Sequence, residues 1–514
     1  NDNAFQFGLV ERTNQMWDYA NATCGGKSEI PNPKSKTDAD SSVSSFKFRA
    51  SDFTQPPLPL HLRIPGLCQL AILTDHWVPN WAGGYNLPYY YSHIPQIMIV
   101  GSYRLISSVI SNFEFRISNF TLFTYYHYII YILLALIPLP VFLGLRILGV
   151  SWLTAGIGAL LASHISTDGL YGLDQSSYLW RGWGLSSQLF AAVPLPLALA
   201  YSMKFLSRAE STTALIEMRK KIQLLAKSFV DRNPSSVFPF TLSLSKGHLS
   251  SFIPDSKTYL FAILFLIITI SGHLGIGMMT LITIGIAGLS PAIVGFLRRD
   301  TRRDITAAVV RGLTGVAFLA VPSLLALSYW IIPTLLGNNY HNISFWDPVW
   351  KFDSYGIKEV FINLGNGALF DFERMPLYTL LVLIGAFGTM MMQKKNEIQS
   401  TKSETKPVSD FEFRISSFQS TSPLGLLFFI WLILYFGRTT WGGLIDLIPG
   451  MTEFHISRFI VMIHILGMFL APIGISVIVT NASTMVIRLI NFIRTLGHHD
   501  DMRSLSGSIQ RLIP

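Results

Sequence analysis

The chain has 514 residues, of which 50% are hydrophobic and 13% are charged, and its formal net charge is +9. With a mean hydropathy of +0.42, this composition excludes a water-soluble enzyme and predicts an all-α polytopic membrane protein. Lys and Arg gather in short runs beside apolar segments, as cytoplasmic membrane loops require, so the positive charge does not indicate a nucleic-acid partner.

The N-terminal residues show helical periodicity. Phe5, Leu9, Arg12, Met16 and Tyr19 lie near helical spacing, which predicts a short surface helix. The following residues, up to position 66, are rich in Ser, Pro, Lys and Asp without periodicity, and they read as an insertion or a flexible loop.

The two cysteines, Cys24 and Cys68, both lie in this polar N-terminal part. They can form a disulfide if the region is outside the cell, and a pair of free thiols is an equal alternative. No hydrophobic segment precedes residue 94, so we expect a first membrane helix to have been present upstream of Asn1.

Residues 73–103, LTDHWVPNWAGGYNLPYYYSHIPQIMIVGSY, form an aromatic stretch. Turn-forming proline and glycine residues interrupt it, which predicts a tightly turned loop rather than a helix. Aromatic rings settle at the level of lipid headgroups, and they also line sugar or lipid sites. An interfacial belt without chemistry and a binding loop are both compatible with this pattern.

The segment at 94–111 is predicted to be a helix lying in the outer interface, because Arg104 interrupts it. Nine apolar segments of near-spanning length follow, at about 122–145, 150–165, 185–207, 258–272, 275–297, 305–333, 376–393, 423–436 and 459–480. A decapeptide recurs unevenly at 44–53, 111–120 and 409–418. Its irregular spacing indicates inserted sequence without a catalytic role.

Basic loops set the predicted orientation. The loops at 208–257, 298–303 and 394–414 and the C-terminal tail should be cytoplasmic. Residues 1–121 and the loops at 166–184, 334–375 and 437–458 then lie outside. Three regions follow: an extracytoplasmic first loop (1–121), a transmembrane bundle (122–480) and a cytoplasmic tail (481–514).

Most of the unusual ionisable residues fall on the predicted outer face, where they are candidates for a site, although single loop residues are more often only solvated. His273 is predicted to be embedded in the membrane or to lie at the outer turn of the 258–297 hairpin. No phosphate loop and no paired CxxC or HExxH metal motif is present in the sequence. The arginines on the predicted outer face point to a lipid phosphate as ligand, because a guanidinium binds phosphate through two parallel hydrogen bonds.

Six stretches follow one another along the chain: NDNAFQFGLVER, WVPNWAGGYNLPYYYSHIP, SYLWRGWGLSSQLFAAVPLPLAL, ISGHLG, NGALFDFERMPLYTLL and GRTTWGGLIDLIPGMTEFHISRFI. Taken in order, they resemble the C-type (GT-C) glycosyltransferase superfamily. Within it they are most similar to bacterial integral membrane proteins labelled 6-pyruvoyl-tetrahydropterin synthase-related, a label that carries no pterin chemistry here. Ser92 and His93 stand where that family has a double proline.

The resemblance implies transfer of a sugar from a polyprenyl-phosphate carrier at the outer face, with a first-loop carboxylate as general base or metal ligand. By motif, Asp2 takes this role, and a divalent metal at Asp2 is left open. A base must remove a proton as the acceptor attacks the anomeric carbon, and fixed cations must stabilise the departing phosphate.

The favoured interpretation is therefore a multi-pass glycosyltransferase of the bacterial plasma membrane that acts on an acceptor in the cell envelope. Asp2 is the predicted base, and Arg181 and Arg438 are predicted to bind the lipid phosphate. The predicted substrate pocket contains Asp75, His76, Trp77, Trp81 and Tyr85. The alternative is a non-catalytic or transport protein for lipid-linked sugars, and a scaffold protein is a more distant third. A transporter is expected to contain internal repeats with broken helices, which the sequence does not show.

Overall fold

The computed structural model describes residues 2–24, 65–78, 85–87, 93–112, 120–167, 172–173, 186–209, 256–336, 349–400, 423–448, 450–452 and 454–497. Within these ranges the chain is a bundle of α-helices with one two-stranded sheet, as the composition predicts. The first part contains α1 (Asp2–Cys24), α2 (Pro65–Thr74), β1 (His76–Val78), β2 (Tyr85–Leu87) and α3 (Ile94–Asn112).

The bundle follows. Its first half contains α4 (Leu122–Leu136), α5 (Pro138–Ile147), α6 (Trp152–Ala162), α7 (Ser186–Ala192), α8 (Leu195–Ala209), α9 (Ser256–Gly272), α10 (Leu274–Arg298), α11 (Arg302–Ala326) and α12 (Ser328–Leu336). Its second half contains α13 (Val349–Asp353), α14 (Gly356–Gly365), α15 (Leu377–Ser400), α16 (Leu424–Tyr435), α17 (Arg438–Trp441), two 3₁₀ helices (Gly442–Leu447 and Ile456–Phe459) and α18 (Ile460–Gly497).

The predicted N-terminal helix is confirmed, but its buried face differs from the predicted one. Gln6, Leu9, Val10 and Thr13 are buried on α1, whereas Tyr19 is 47% exposed. The prediction followed the spacing of large side chains alone. The face of α1 that is buried against the bundle includes two polar residues, Gln6 and Thr13. Helix α1 is therefore packed into the protein and is not a free surface helix.

The first part is held together covalently. Cys24 at the end of α1 and Cys68 in α2 form a disulfide, which decides between the two alternatives left open by the sequence. Gln69 Nε2 donates a hydrogen bond of 2.9 Å to Asn21 Oδ1 beside it. A small cluster of buried apolar side chains from the same two helices lies next to the disulfide, so α1 and α2 form one packed unit.

Helix α3 confirms the predicted helix at 94–111 and packs on α1. Arg104, which interrupts the apolar sequence of α3, donates from Nε to Asn14 Oδ1 at 2.8 Å and forms an ion pair of 2.7 Å with Asp18. Its guanidinium also lies 5.8 Å from the ring centre of Trp17. Arg104 therefore attaches α3 to α1, while the interfacial placement of α3 stays a prediction.

All nine predicted apolar segments form helices, but fewer than nine reach the length of a membrane span. Within the described residues, five helical stretches are long and apolar enough to cross a membrane, and the count becomes six if the bent pair at 424–447 is one span. The two parts of that pair differ in direction by 72°. Three of the predicted segments form shorter apolar helices, Trp152–Ala162, Ser256–Gly272 and Leu377–Met391, so the count of nine spans stays a prediction.

The closest helix packing is between α15 and α18. A side chain on Gly385 would collide with the backbone of Leu470, and one on Gly474 would collide with the backbone of Leu381. Small residues at such a contact allow two helix backbones to approach directly, which maximises van der Waals contact in an apolar environment. The first half of α18 is consequently almost completely buried.

The loops predicted to share one side of the membrane meet at one end of the bundle. Ser166, after α6, pairs with Asp371 in a parallel β-bridge, and Ser354 Oγ donates to the Tyr435 carbonyl at 2.6 Å. Helix α1 packs against α7 at the same end. We call this end the first-loop end. The side of the membrane on which it lies stays a prediction.

Candidate functional site

Four buried polar side chains lie at the first-loop end where α1, α4 and α7 meet. They are Gln6, Tyr126, Ser186 and Ser187, and each is at most 6% exposed. Ser186 Oγ donates to Gln6 Oε1 at 3.3 Å, and the Tyr126 hydroxyl lies beside Ser186. We call these residues the Gln6 cluster. It is a polar site enclosed by an otherwise apolar bundle.

The Gln6 cluster contains hydrogen-bonding groups without partners. Gln6 Nε2 and Ser187 Oγ are buried and make no hydrogen bond within the described residues. Each unpaired buried donor costs about 1–3 kcal/mol, so burying these two groups lowers the stability of the fold at this place. Such groups are suited to a polar ligand that supplies both donors and acceptors, as a sugar does.

The predicted base, Asp2, is the first residue of α1. It precedes Gln6 by four residues, so the two positions share one face of the helix. The Asp2 side chain lies outside the side chains that the structure describes. The helix thus places the Asp2 position one turn from the Gln6 cluster, and its role as base stays a prediction.

A second group of polar residues lies where α1 meets the sheet and α3. His76 and His93 are 2% and 1% exposed. His76 Nδ1 donates to the Ile72 carbonyl at 3.2 Å, and His93 Nε2 forms a hydrogen bond of 2.9 Å with the Tyr329 hydroxyl. Burial lowers the pKa of each histidine to about 4, with Arg12 lowering that of His76 further. Both imidazoles are therefore neutral at pH 7.

Arg12 lies beside these histidines on α1. Its Nε donates to the Trp77 carbonyl at 2.9 Å, and its Nη1 donates to Gln15 Oε1 at 3.1 Å. Burial lowers the pKa of Arg12 below its usual value, and the side chain forms no ion pair with any residue in the described ranges. A half-buried guanidinium without a carboxylate partner is available to an anion.

Within the aromatic stretch the structure describes two short strands, which agrees with the prediction that this part is not a helix. Strand β1 pairs antiparallel with β2, with Trp77 opposite Asn86 and Val78 opposite Tyr85. Asp75 is exposed, and the Trp77 side chain is 49% exposed, so neither lines a closed pocket. The Tyr85 side chain and all of Trp81 and Arg181 lie outside the described residues.

Arg438, predicted to bind a lipid phosphate, is instead occupied within the protein. Its Nε and Nη2 contact Asp446 Oδ1 at 3.0 Å. Its terminal nitrogens donate to the backbone carbonyls of Phe352, Phe454 and Met451. The guanidinium also lies 4.2 Å from the ring centre of Phe352. Arg438 therefore connects two loops, and no N–H of this guanidinium is directed to an external phosphate.

The NGALFDFERMPLYTLL stretch likewise has a structural explanation. Asp371 Oδ1 accepts from the Tyr378 amide at 3.0 Å, and its Oδ2 accepts from the Thr379 amide at 2.8 Å. This carboxylate caps the start of α15. Arg374 donates to the His164 carbonyl, which attaches the loop to the end of α6. These two charges serve the fold.

His273 lies at the turn between α9 and α10, one of the two positions predicted from the sequence. Its Nδ1 accepts from the Ile276 amide at 3.3 Å, so it caps α10. No group of three His, Cys, Asp or Glu residues suited to a metal occurs in the part of the chain that the structure describes. The divalent metal proposed at Asp2 is not tested by these residues.

Comparison with protein-family models, with curated proteins and with solved structures finds no match to this chain.

Sequence analysis missed the Gln6 cluster. Gln6 carried no signal, because the α1 sequence has no pronounced apolar face that would show which side is buried. A signal existed in the run Ser186–Gln188, which opens an apolar helix. Tyr126 carried no signal, because tyrosine is common in apolar segments that end at a membrane interface.

Proposed function

We propose that the chain is a membrane glycosyltransferase that moves a sugar from a polyprenyl-phosphate donor to an acceptor at the first-loop end of the bundle. The observation that carries the proposal is the unpaired amide of Gln6, which lies one helical turn from the Asp2 position. A carboxylate base beside polar groups that receive a sugar is the arrangement that glycosyl transfer needs.

In this reaction the acceptor hydroxyl attacks the anomeric carbon and loses its proton to Asp2. A bond forms between the acceptor oxygen and the anomeric carbon, while the bond from that carbon to the phosphate oxygen breaks. Polyprenyl phosphate leaves with the electron pair. The Gln6 cluster supports this step by binding sugar hydroxyls, and a cation must stabilise the departing phosphate.

Arg12 is the described residue best suited to the phosphate. Unlike Arg438, it has no carboxylate partner among the described residues, and it lies on the same helix as Asp2 and Gln6. Arg181 stays a second candidate. The long apolar helices that end here offer a surface to the polyprenyl chain, which places donor and acceptor at the boundary between lipid and water. This assignment puts the protein in the bacterial plasma membrane.

The test is a transfer assay on full-length protein in vesicles, with a polyprenyl-phosphate sugar as donor. Asp2→Asn should lower the rate by about 10² to 10⁴, the usual contribution of a positioned base, and should leave donor binding near that of the parent. Glu11→Gln is the matched control, because Glu11 is an exposed carboxylate on the same helix. Parent-level transfer by Asp2→Asn would refute the assignment of the base.

The same assay separates the enzyme from a carrier of lipid-linked sugar. A carrier would move the donor across the membrane without forming product, and Asp2→Asn would leave that movement unchanged. One bent helix pair, at 424–447, is found within the described residues, whereas transporters of this kind are expected to have broken helices at corresponding positions in two repeats. We therefore favour the enzyme.

A further inference from the structure

Helix α18 is longer than a membrane span requires. Its 38 residues extend about 57 Å at 1.5 Å per residue, whereas the hydrocarbon core of a bilayer is about 30 Å thick. Transmembrane helices tilt by up to about 40°, and at that angle α18 still rises about 44 Å across the membrane. One end of this helix therefore lies outside the hydrocarbon core.

The end that projects is the C-terminal one. Helix α18 follows directly on the 3₁₀ helix Ile456–Phe459, in which Ser457 Oγ donates to the Lys351 carbonyl at 2.8 Å. Residues 460–474 are all buried in the bundle, whereas residues 481–491 are all exposed. The helix thus leaves the bundle shortly after residue 474. We call residues 478–492 the projecting segment.

The projecting segment carries an apolar stripe with the spacing of a coiled coil. The residues of this stripe follow one another at alternating steps of four and three: Ile478, Ala482, Met485, Leu489 and Phe492. The first four of them are exposed. In the sequence, Ile475 and Leu496 continue the same steps at the two ends, so the pattern covers just over three heptads. Apolar residues at the a and d positions of successive heptads indicate a seam between helices.

The direction of the projecting segment decides what can cover this stripe. No glycine or proline occurs between residues 475 and 496, and these are the residues at which helices usually bend sharply. Helix α18 is one continuous helix to Gly497, so the segment continues in the direction that the bundle sets and leads away from the membrane rather than along its surface. Exposed apolar stripes of this kind mark interaction sites. A protein partner outside the hydrocarbon core must therefore cover it.

We propose that the partner is a second copy of this chain, and that the projecting segments of two copies form a parallel two-stranded coiled coil. A seam of a and d residues is complementary to itself, because each side chain fits between four residues of the facing helix. Two copies inserted in one membrane with the same orientation project their segments on the same side and in the same direction, which imposes the parallel arrangement. The proposal does not depend on the glycosyltransferase function.

The experiment is disulfide cross-linking of the full-length protein in vesicles. The chain has two cysteines, and both are in the Cys24–Cys68 disulfide, so an added cysteine is the single free thiol. Leu489→Cys places this thiol in the seam. Ile487→Cys is the matched control, because Ile487 is 58% exposed against 55% for Leu489 but lies on the opposite side of the helix. Mild oxidation should give at least about fivefold more dimer with Leu489→Cys, since its two Cβ atoms come within the reach of a disulfide.

A second pair of variants tests the seam itself. Met485→Lys, introduced into the Leu489→Cys protein, should lower the dimer yield by at least about fivefold, because it places a charge in the apolar seam. Thr484→Lys in the same background is the control, since position 484 lies outside the a and d positions. Met485 and Thr484 are both exposed, so neither change disturbs the packing of the bundle.

Three results would overturn the proposal. Equal dimer yields from Leu489→Cys and Ile487→Cys would show that the copies meet only by random collision. An equal effect of Met485→Lys and Thr484→Lys would show that the stripe is not the contact. The third is the absence of dimer from Leu489→Cys, and protection of its thiol from a water-soluble maleimide would then identify lipid or another segment of the same chain as the cover.

Discussion

Replacing Arg438 distinguishes a structural arginine from a phosphate-binding one. In the structure its side chain is 11% exposed and contacts Asp446, three backbone carbonyls and the ring of Phe352. If these contacts are its function, then Arg438→Met should unfold more easily than the parent, and Arg438→Lys should do so to a smaller extent. If it binds donor phosphate, binding should fall while stability is kept.

The expected change in the free energy of unfolding follows from the exposure of each partner of Arg438. Arg438 pairs with Asp446 and, at 4.0 Å, with Asp353, and these two carboxylates are 31% and 32% exposed. Solvent therefore screens both ion pairs, and each contributes at most about 1 kcal/mol. The larger part comes from charge-assisted hydrogen bonds to carbonyls, about 1.5–3 kcal/mol each before solvation losses. We expect Arg438→Met to cost about 3–5 kcal/mol. Arg438→Lys should cost about 1–2 kcal/mol, because lysine keeps the charge but lacks the fork.

The assay is equilibrium unfolding of the purified full-length protein in mixed detergent micelles, together with donor binding by the same samples. Arg488→Lys is the control, since it makes the same change at an exposed position, and it should shift the unfolding free energy by less than about 0.5 kcal/mol. Parent-level stability of Arg438→Met together with lost donor binding would refute this reasoning and restore the phosphate-binding prediction.

Two further predictions concern burial and close packing. Burial lowers the pKa of His93 to about 4 in the folded protein, against about 6.5 in the unfolded chain. Below pH 6.5 the unfolded chain binds a proton that the folded protein does not, so the free energy of unfolding falls as the pH drops from 6.5 toward 4. The loss should reach about 2 kcal/mol at pH 5, and unfolding of the parent and of His93→Gln at pH 7 and pH 5 checks it; an equal pH dependence in both would contradict it. Gly385→Leu should cost more than about 3 kcal/mol, because the added side chain meets the Leu470 backbone, whereas Gly156→Ala, with open space around it, should be near neutral. Similar unfolding free energies for these two glycine variants would show that α15 and α18 are not held in close contact.

Much of the fold was predictable because helices depend on local sequence. Each of the nine apolar segments forms a helix, and the alternation of basic loops correctly grouped the loops that meet at the first-loop end. The number of spans was less predictable, because a window of apolar residues does not reveal where a helix ends. Trp152–Ala162, for example, has 11 residues, too few to cross a bilayer of ordinary thickness.

Residue roles were less predictable than residue positions. Arg438 and Asp371 both look like site residues in the sequence, because each is a charge at the mouth of an apolar bundle. The structure shows that Arg438 connects two loops and that Asp371 caps α15. A charged residue that binds backbone groups and one that binds a ligand look the same in the sequence. Only the positions of the neighbouring residues in the structure distinguish them.

The sequence by itself determined the all-α class, the apolar segments and the end of the bundle at which the polar loops collect, since periodicity, apolar length and charge are local properties. The tertiary structure alone decided which polar groups meet. Gln6 and Ser186 are 180 residues apart, and no local pattern encodes their contact. Their burial arises only when α1 packs into the end of the bundle, and so does the unpaired state of Gln6 Nε2.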